Sequence, residues 1–177
     1  FDNNGNVVWY KNYELAANNT QSYTKTWSAG ITVDNNGNVL VTGYFTGKLT
    51  FGNTTLETKL GIFEREVFVL KFDKDGNEIW AIESTGSTSV SYIYNRGWAI
   101  TVDQNNDVLV GGLYGDEITF GSITVTEPSN LFSPYIAKFD GSTGNIKWIR
   151  NGEFIAGSNV FSNFYGITVD NSNNIIV

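Results

Sequence analysis

Hydrophobic and polar positions alternate along this chain with a period of two, in short runs broken by Asn, Asp and Gly. In GITVDNNGNVLVTGYF, from Gly30, an apolar ITV leads into a polar turn at Asn35 to Asn38, and VLVTGYF follows. Thr, Val, Ile, Tyr, Phe and Trp fill such runs, as a pleated and half-buried surface requires. The pattern predicts strands at ITVD and VLVTGYF, a hairpin at LTFGNTTLE, a strand at EVFVLKF, a turn at Asp73 to Asn77 and a strand at EIWAIE. Nowhere does the 3.6-residue apolar period of a helix emerge, and Gly falls too often for one of useful length.

These runs repeat in a constant order. GITVDNNGNVLV from Gly30 returns as AITVDQNNDVLV from Ala99 and GITVDNSNNIIV from Gly166, so that Ile31, Ile100 and Ile167 are 69 and 67 residues apart. FDNNGNVVW from Phe1 returns as FDKDGNEIW from Phe72 and FDGSTGNIKW from Phe139, and KLTFGNTTLET from Lys48 returns as EITFGSITVTE from Glu117. The period is about 68 residues, and four main strands with a small hairpin make one propeller blade. The expected fold is all-β: a β-propeller segment of about 2.6 four-stranded antiparallel blades.

On this reading residues 1–14 supply the outer strands of a partial blade, 30–83 and 98–150 are blades, and 166–177 supply the inner strands of another. Residues 15–29, 84–97 and 151–165 join them. Too few blades are present to close a ring, so the remaining blades are expected from further residues of the same longer polypeptide, the alternative being several copies joined head to tail in a symmetric ring.

GITVDNNGNVLVTGYFTG followed by EVFVLKFDKDGNEIWA resembles the bacterial β-propeller repeat known as the SBBP repeat. The resemblance implies a large secreted or cell-surface protein of Bacteroidetes-type bacteria, with export by a type IX secretion route. It carries no catalytic residues over. Two positions depart from the pattern: Gly-Asn is lost at Asn105-Asn106-Asp107, and the turn from Gly141 to Asn145 gains one residue.

Composition narrows the chemistry. With neither Cys nor His, the chain has no thiolate, no imidazole proton shuttle and no triad built on them. A net charge of −7 opposes nucleic-acid binding, and no apolar stretch approaches a membrane span. No cofactor and no metal are expected. DNNGN at Asp34 and DKDGN at Asp73 begin like calcium loops, but no bidentate Glu closes them, and GSTGN after Asp140 lacks the second acidic ligand. They read as tight turns, with Asp34, Asp103 and Asp170 at equivalent positions.

Trp9, Trp80 and Trp148 also share one repeat position and read as packing anchors between blades, while Gly43 and Gly112, 69 apart, suit a bulge or close backbone approach. The joining segments break the repeat. They gather Tyr13, Tyr23, Trp27, Tyr92, Tyr94, Arg96, Trp98, Phe154, Phe161, Phe164 and Tyr165 among Ser, Thr and Asn. Of these Tyr92, Tyr94, Arg96, Trp98, Phe161 and Tyr165 are the candidate ligand-binding residues, since rings stack on a sugar or peptide while amides orient it. The same rings would equally seal the blade tops. Strand alternation puts the Asp turns on one end of every blade and the variable segments on the other, where function would concentrate.

The expected function is a non-catalytic extracellular scaffold for adhesion or protein interaction. Its candidate partners are a surface glycan, another surface protein or the secretion machinery. A lectin-like propeller is one alternative. An extracellular glycoside hydrolase is another, although Glu57, Glu64 and Glu66 have no facing second carboxylate cluster.

Overall fold

The computed structural model describes residues 1–11, 25–59, 64–86, 93–126, 132–152 and 164–177. The described residues contain strands and no helix. Four antiparallel strands form the first sheet in the order β1 (Lys25–Val33), β2 (Val39–Thr46), β5 (Glu64–Phe72), β6 (Glu78–Glu83). The second sheet repeats this with β8 (Arg96–Val102), β9 (Val108–Gly115), β12 (Phe132–Phe139) and β13 (Ile146–Asn151). Each carries a hairpin after its second strand: β3 (Lys48–Phe51) with β4 (Thr54–Glu57), and β10 (Glu117–Phe120) with β11 (Ile123–Thr126). Strand β7 (Ile93–Tyr94) adds a short parallel pairing to β5, and β14 (Thr168–Val169) pairs β15 (Ile175–Ile176).

The period-two pattern explains how the sheets pack. Along β5, Val67 and Val69 join a core shared with Val108, Val110, Tyr135 and Phe139 of the second sheet. Phe68, Leu70 and Phe72 alternate to the opposite face, where Leu49, Phe51 and Leu56 of the hairpin cover them. Both faces of β5 are therefore buried, which is why its apolar run is nearly continuous. The hairpins repeat one contact: Phe51 meets Phe72, and Phe120 meets Phe139, each edge-on at 5.0 Å.

The inner strands start earlier than alternation alone suggests. β1 begins at Lys25, within the segment read as a connector, and β8 begins at Arg96. A bulge between Ser28 and Gly30, and its counterpart between Gly97 and Ala99, puts the upstream residues out of phase. Gly43 and Gly112 sit across from these bulges. A Cβ on either would lie 1.9 Å from a carbonyl oxygen, of Trp27 and Arg96 respectively, so the backbones approach too closely for a side chain.

At the other end, one turn recurs. Asp34 Oδ1 accepts the Asn36 and Asn38 N–H groups, and its Oδ2 accepts the Asn38 side-chain amide. Asp2, Asp73 and Asp170 make the same three bonds with their own followers. The penultimate turn residue needs positive φ, which Gly37 supplies at 81°. Asn106 and Asn173 supply it at 63° and 65°, since Asn tolerates this region, so losing Gly there does not break the turn.

Asp34 differs from Asp73 in being buried and paired with Lys71, itself buried, at 2.8 Å. Burial pushes its carboxyl up, but Lys71 and the Asn38 bonds outweigh this and leave it below the ordinary value. Asp34→Ala should strand the Lys71 ammonium and cost about 3–5 kcal/mol. Asp73→Ala, on an exposed turn where the only lysine, Lys74, pairs with Asp75 instead, should cost clearly less. Urea unfolding of both variants checks this; equal losses would mean that the ion pair adds nothing to the turn.

Candidate functional site

Of the three repeated Trp residues, Trp9 and Trp80 each bond an Asp-containing turn one repeat further on. Trp80 Nε1 donates to the Gly141 carbonyl at 3.3 Å across the sheet interface, and its ring floors the turn at Gly144. Trp9, outside any strand, does the same one sheet earlier: its Nε1 donates to the Lys74 carbonyl at 3.1 Å and its ring meets Phe72 at 5.8 Å. Trp148 lies on β13, half-buried, with the Arg150 guanidinium 5.8 Å from its ring.

The Asp turns have their oxygens occupied by protein donors. Asp103 accepts the Asn105 and Asp107 N–H groups and pairs with Lys138 at 2.6 Å. Asp107 pairs with Lys138 and Lys147. No group of three or more acidic side chains placed to hold a metal occurs among the described residues. The turns therefore act as structural locks in this arrangement.

Burial of two carboxyl groups was not legible from the sequence. Glu64 and Glu66, two apart on β5, face the same way and are both buried, while Arg65 between them faces the opposite side. Glu66 accepts bonds from the Ser84 hydroxyl, the Gly86 N–H and the Asn95 side-chain amide, the last at 2.9 Å. It thus ties β5 to both ends of the link between the sheets. Burial, and then the hydrogen-bonded Glu64, push the Glu66 carboxyl up to about 8. Glu83 is pushed up to about 7, chiefly by burial. A glycosidase pair stands roughly 5–9.5 Å apart across a substrate, whereas Glu64 and Glu66 are in direct hydrogen-bonding contact and shut away from solvent. Their arrangement is that of a clasp.

The candidate ligand-binding residues separate into two groups. Tyr92 and Phe161 lie outside the described residues. Tyr94, Arg96, Trp98 and Tyr165 come together at the end away from the Asp turns. Arg96 lies over the rings of Tyr44, Tyr94 and Trp98, at 5.2, 5.6 and 5.5 Å. Trp98 continues to Tyr165 at 5.9 Å, and Tyr94 meets Phe132 edge-on at 5.8 Å. Two members went unrecognised in the sequence. Arg65 lies over Tyr44 and Tyr94 at 5.5 and 4.6 Å, and Tyr44 stacks on Trp27 at 6.4 Å. The available signal was alternation, which turns Arg65 away from its glutamate neighbours.

Two four-stranded antiparallel sheets, packed face to face through repeated positions, are successive blades of a β-propeller segment. Residues 20–53 match the SBBP β-propeller repeat. The chain is also 28% identical over 116 residues to an uncharacterized WD repeat-containing protein of Acanthamoeba polyphaga mimivirus. That alignment covers 62% of this chain and 7% of the viral protein, so the chain spans a small part of the relative's length.

The Glu66 clasp sets a pH dependence with a defined sign. Between the ordinary glutamate value of 4.5 and about 8, the native state holds a proton that the unfolded state has released. The stabilisation is complete below about 4.5 and lost as pH rises through about 8. The melting temperature should therefore fall between pH 5 and 9, and Glu66→Gln should flatten that fall. A melting temperature that climbs across this range would contradict the assignment.

Proposed function

We propose that this propeller segment is a non-catalytic scaffold for adhesion or protein interaction, with its partner engaging the connector end of the blades. One observation supports this most directly. The Asp-turn end is built of repeated, internally satisfied groups, whereas the opposite end holds rings and guanidiniums that break the repeat on rigid strands. The likeness to a WD repeat-containing protein fits an interaction role. Secretion or display at a bacterial cell surface, including a type IX route, is part of the same proposal and draws on the resemblance to the SBBP repeat. The acidic, Cys-free, Asn- and Thr-rich composition suits such an exposed setting.

Affinity capture from the native cell surface, followed by binding measurements on variants, tests the proposal. Tyr94→Ala and Trp98→Ala should weaken partner binding at least tenfold while leaving the fold intact by circular dichroism. Asn36→Ser, on the turn end, should leave binding unchanged. If the turn-end variant alone lost the partner, the functional end would have been assigned the wrong way round.

A further inference from the structure

Among the described residues, Arg65 and Arg96 form a cationic pair with no acidic counterpart. Both guanidiniums lie over the same two rings, Tyr44 and Tyr94, and neither has a carboxylate within ion-pair distance among the described residues. The ion pairs of the described residues are all made by lysine. Arg96 Nε and Trp98 Nε1 are buried without a hydrogen-bond partner among the described residues. Burial, and then the neighbouring Arg65, lower the Arg96 pKa from its ordinary value, the direction expected of a cation short of counter-charge.

The repeat frame makes the pair more specific. By strand register Arg96 takes the place of Trp27 in the first blade, and Tyr44 the place of Leu113 in the second. Arg65 takes the place of Phe132. None of the three is a repeated structural residue, yet all converge at one blade junction. Both arginines are held by ring faces on paired strands, which limits the ordering cost of binding.

We infer that the Arg65–Arg96 pair binds the carboxylate of an acidic sugar whose ring stacks on the neighbouring exposed aromatics. Guanidinium forks match a carboxylate in a bidentate manner. Trp27, 59% exposed, and Tyr165, 74% exposed, flank the pair and offer open faces for the C–H side of a sugar. β1 and β8 are free sheet edges, and β8 carries Arg96, so a peptide carboxylate is separated from an acidic sugar by the glutamate derivative in the titration below. The net charge of −7 repels a polyanion, so one terminal acidic unit suits this local cationic spot better than a densely charged chain.

This assignment rests on the scaffold reading for its place at the connector end, while its chemistry is tested separately. The protein carrying residues 1–177 is titrated calorimetrically with glucuronic acid, N-acetylneuraminic acid, glucose, and N-acetylglutamate amide. At least one acidic sugar should bind saturably, with glucose and the glutamate derivative at least tenfold weaker. Arg65→Gln and Arg96→Gln should each weaken that binding at least tenfold at unchanged melting temperature. Trp27→Ala, on an exposed ring, should weaken it severalfold and decides the matter if an arginine variant misfolds. The inference is overturned by saturable binding of neither acid, by equal binding of glucose, or by equal binding of the glutamate derivative, which would point to a peptide carboxylate. Acidic-sugar binding that these variants leave unchanged would overturn it too. Failure of the unaltered protein to bind either acidic sugar, with partner capture retained, would reject this ligand and keep the scaffold.

Discussion

Lys71 carries its ammonium into the interface between the two blades, where it bonds Asp34 of its own sheet at 2.8 Å and the Gly141 carbonyl of the next at 2.7 Å. A buried ammonium must be paired and hydrogen-bonded, or the cost of taking it from water exceeds what it returns. This single constraint fixes the turn at Asp34, the end of β5 and the turn that begins the last strand of the following blade. Trp80 donates to the same Gly141 carbonyl, so a charge-assisted and a neutral donor converge on one acceptor. The indole bond recurs at equivalent positions, since Trp9 donates to the Lys74 carbonyl as Trp80 does to that of Gly141.

The lock also tolerates drift when charge is conserved. The second blade has Asp107 where the first has Asn38, which adds a negative charge beside the already buried Asp103. Lys147, in place of Ile79, pairs with Asp107, while Lys138 bridges Asp103 and Asp107 at 2.6 and 3.2 Å. Opposing changes on neighbouring strands thus keep the site neutral enough to bury. Here the departure from the repeat is compensation, and its partner can be named.

Much of this was legible because it rests on local rules. Alternation marked β2, β5 and β9, the Asp turns followed from side chains that bond their own backbone, and the repeat order pointed to blades. The missed features are those where tertiary structure overrides local pattern. Bulges at Ser28 and Gly97 disguise Lys25 to Ala29 of β1 and the first two residues of β8, Arg96 and Gly97, as connector. The pairing of β7 with β5 is parallel and only two residues long, too short to leave a period. No local pattern marks Glu66 as buried, because its donors, Ser84, Gly86 and Asn95, lie far along the chain. The cationic pair was half visible: Arg96 stood among the connector aromatics, whereas Arg65 was hidden between two glutamates.

The two ends of the blades therefore divide along a physical line. At the turn end, the first Asp of each turn accepts hydrogen bonds from its own turn, and Asp34 and Asp103 add a lysine at one repeat position, so selection on folding alone accounts for these bonds. At the connector end, Tyr44, Arg65 and Arg96 replace apolar or aromatic repeat residues and leave two cations clamped between rings. Folding does not require that arrangement, since the first blade fills the Arg96 position with Trp27 and the second fills the Arg65 position with Phe132. A group that folding does not need, held rigidly where the repeat would put a hydrocarbon, is best explained by something it meets from outside.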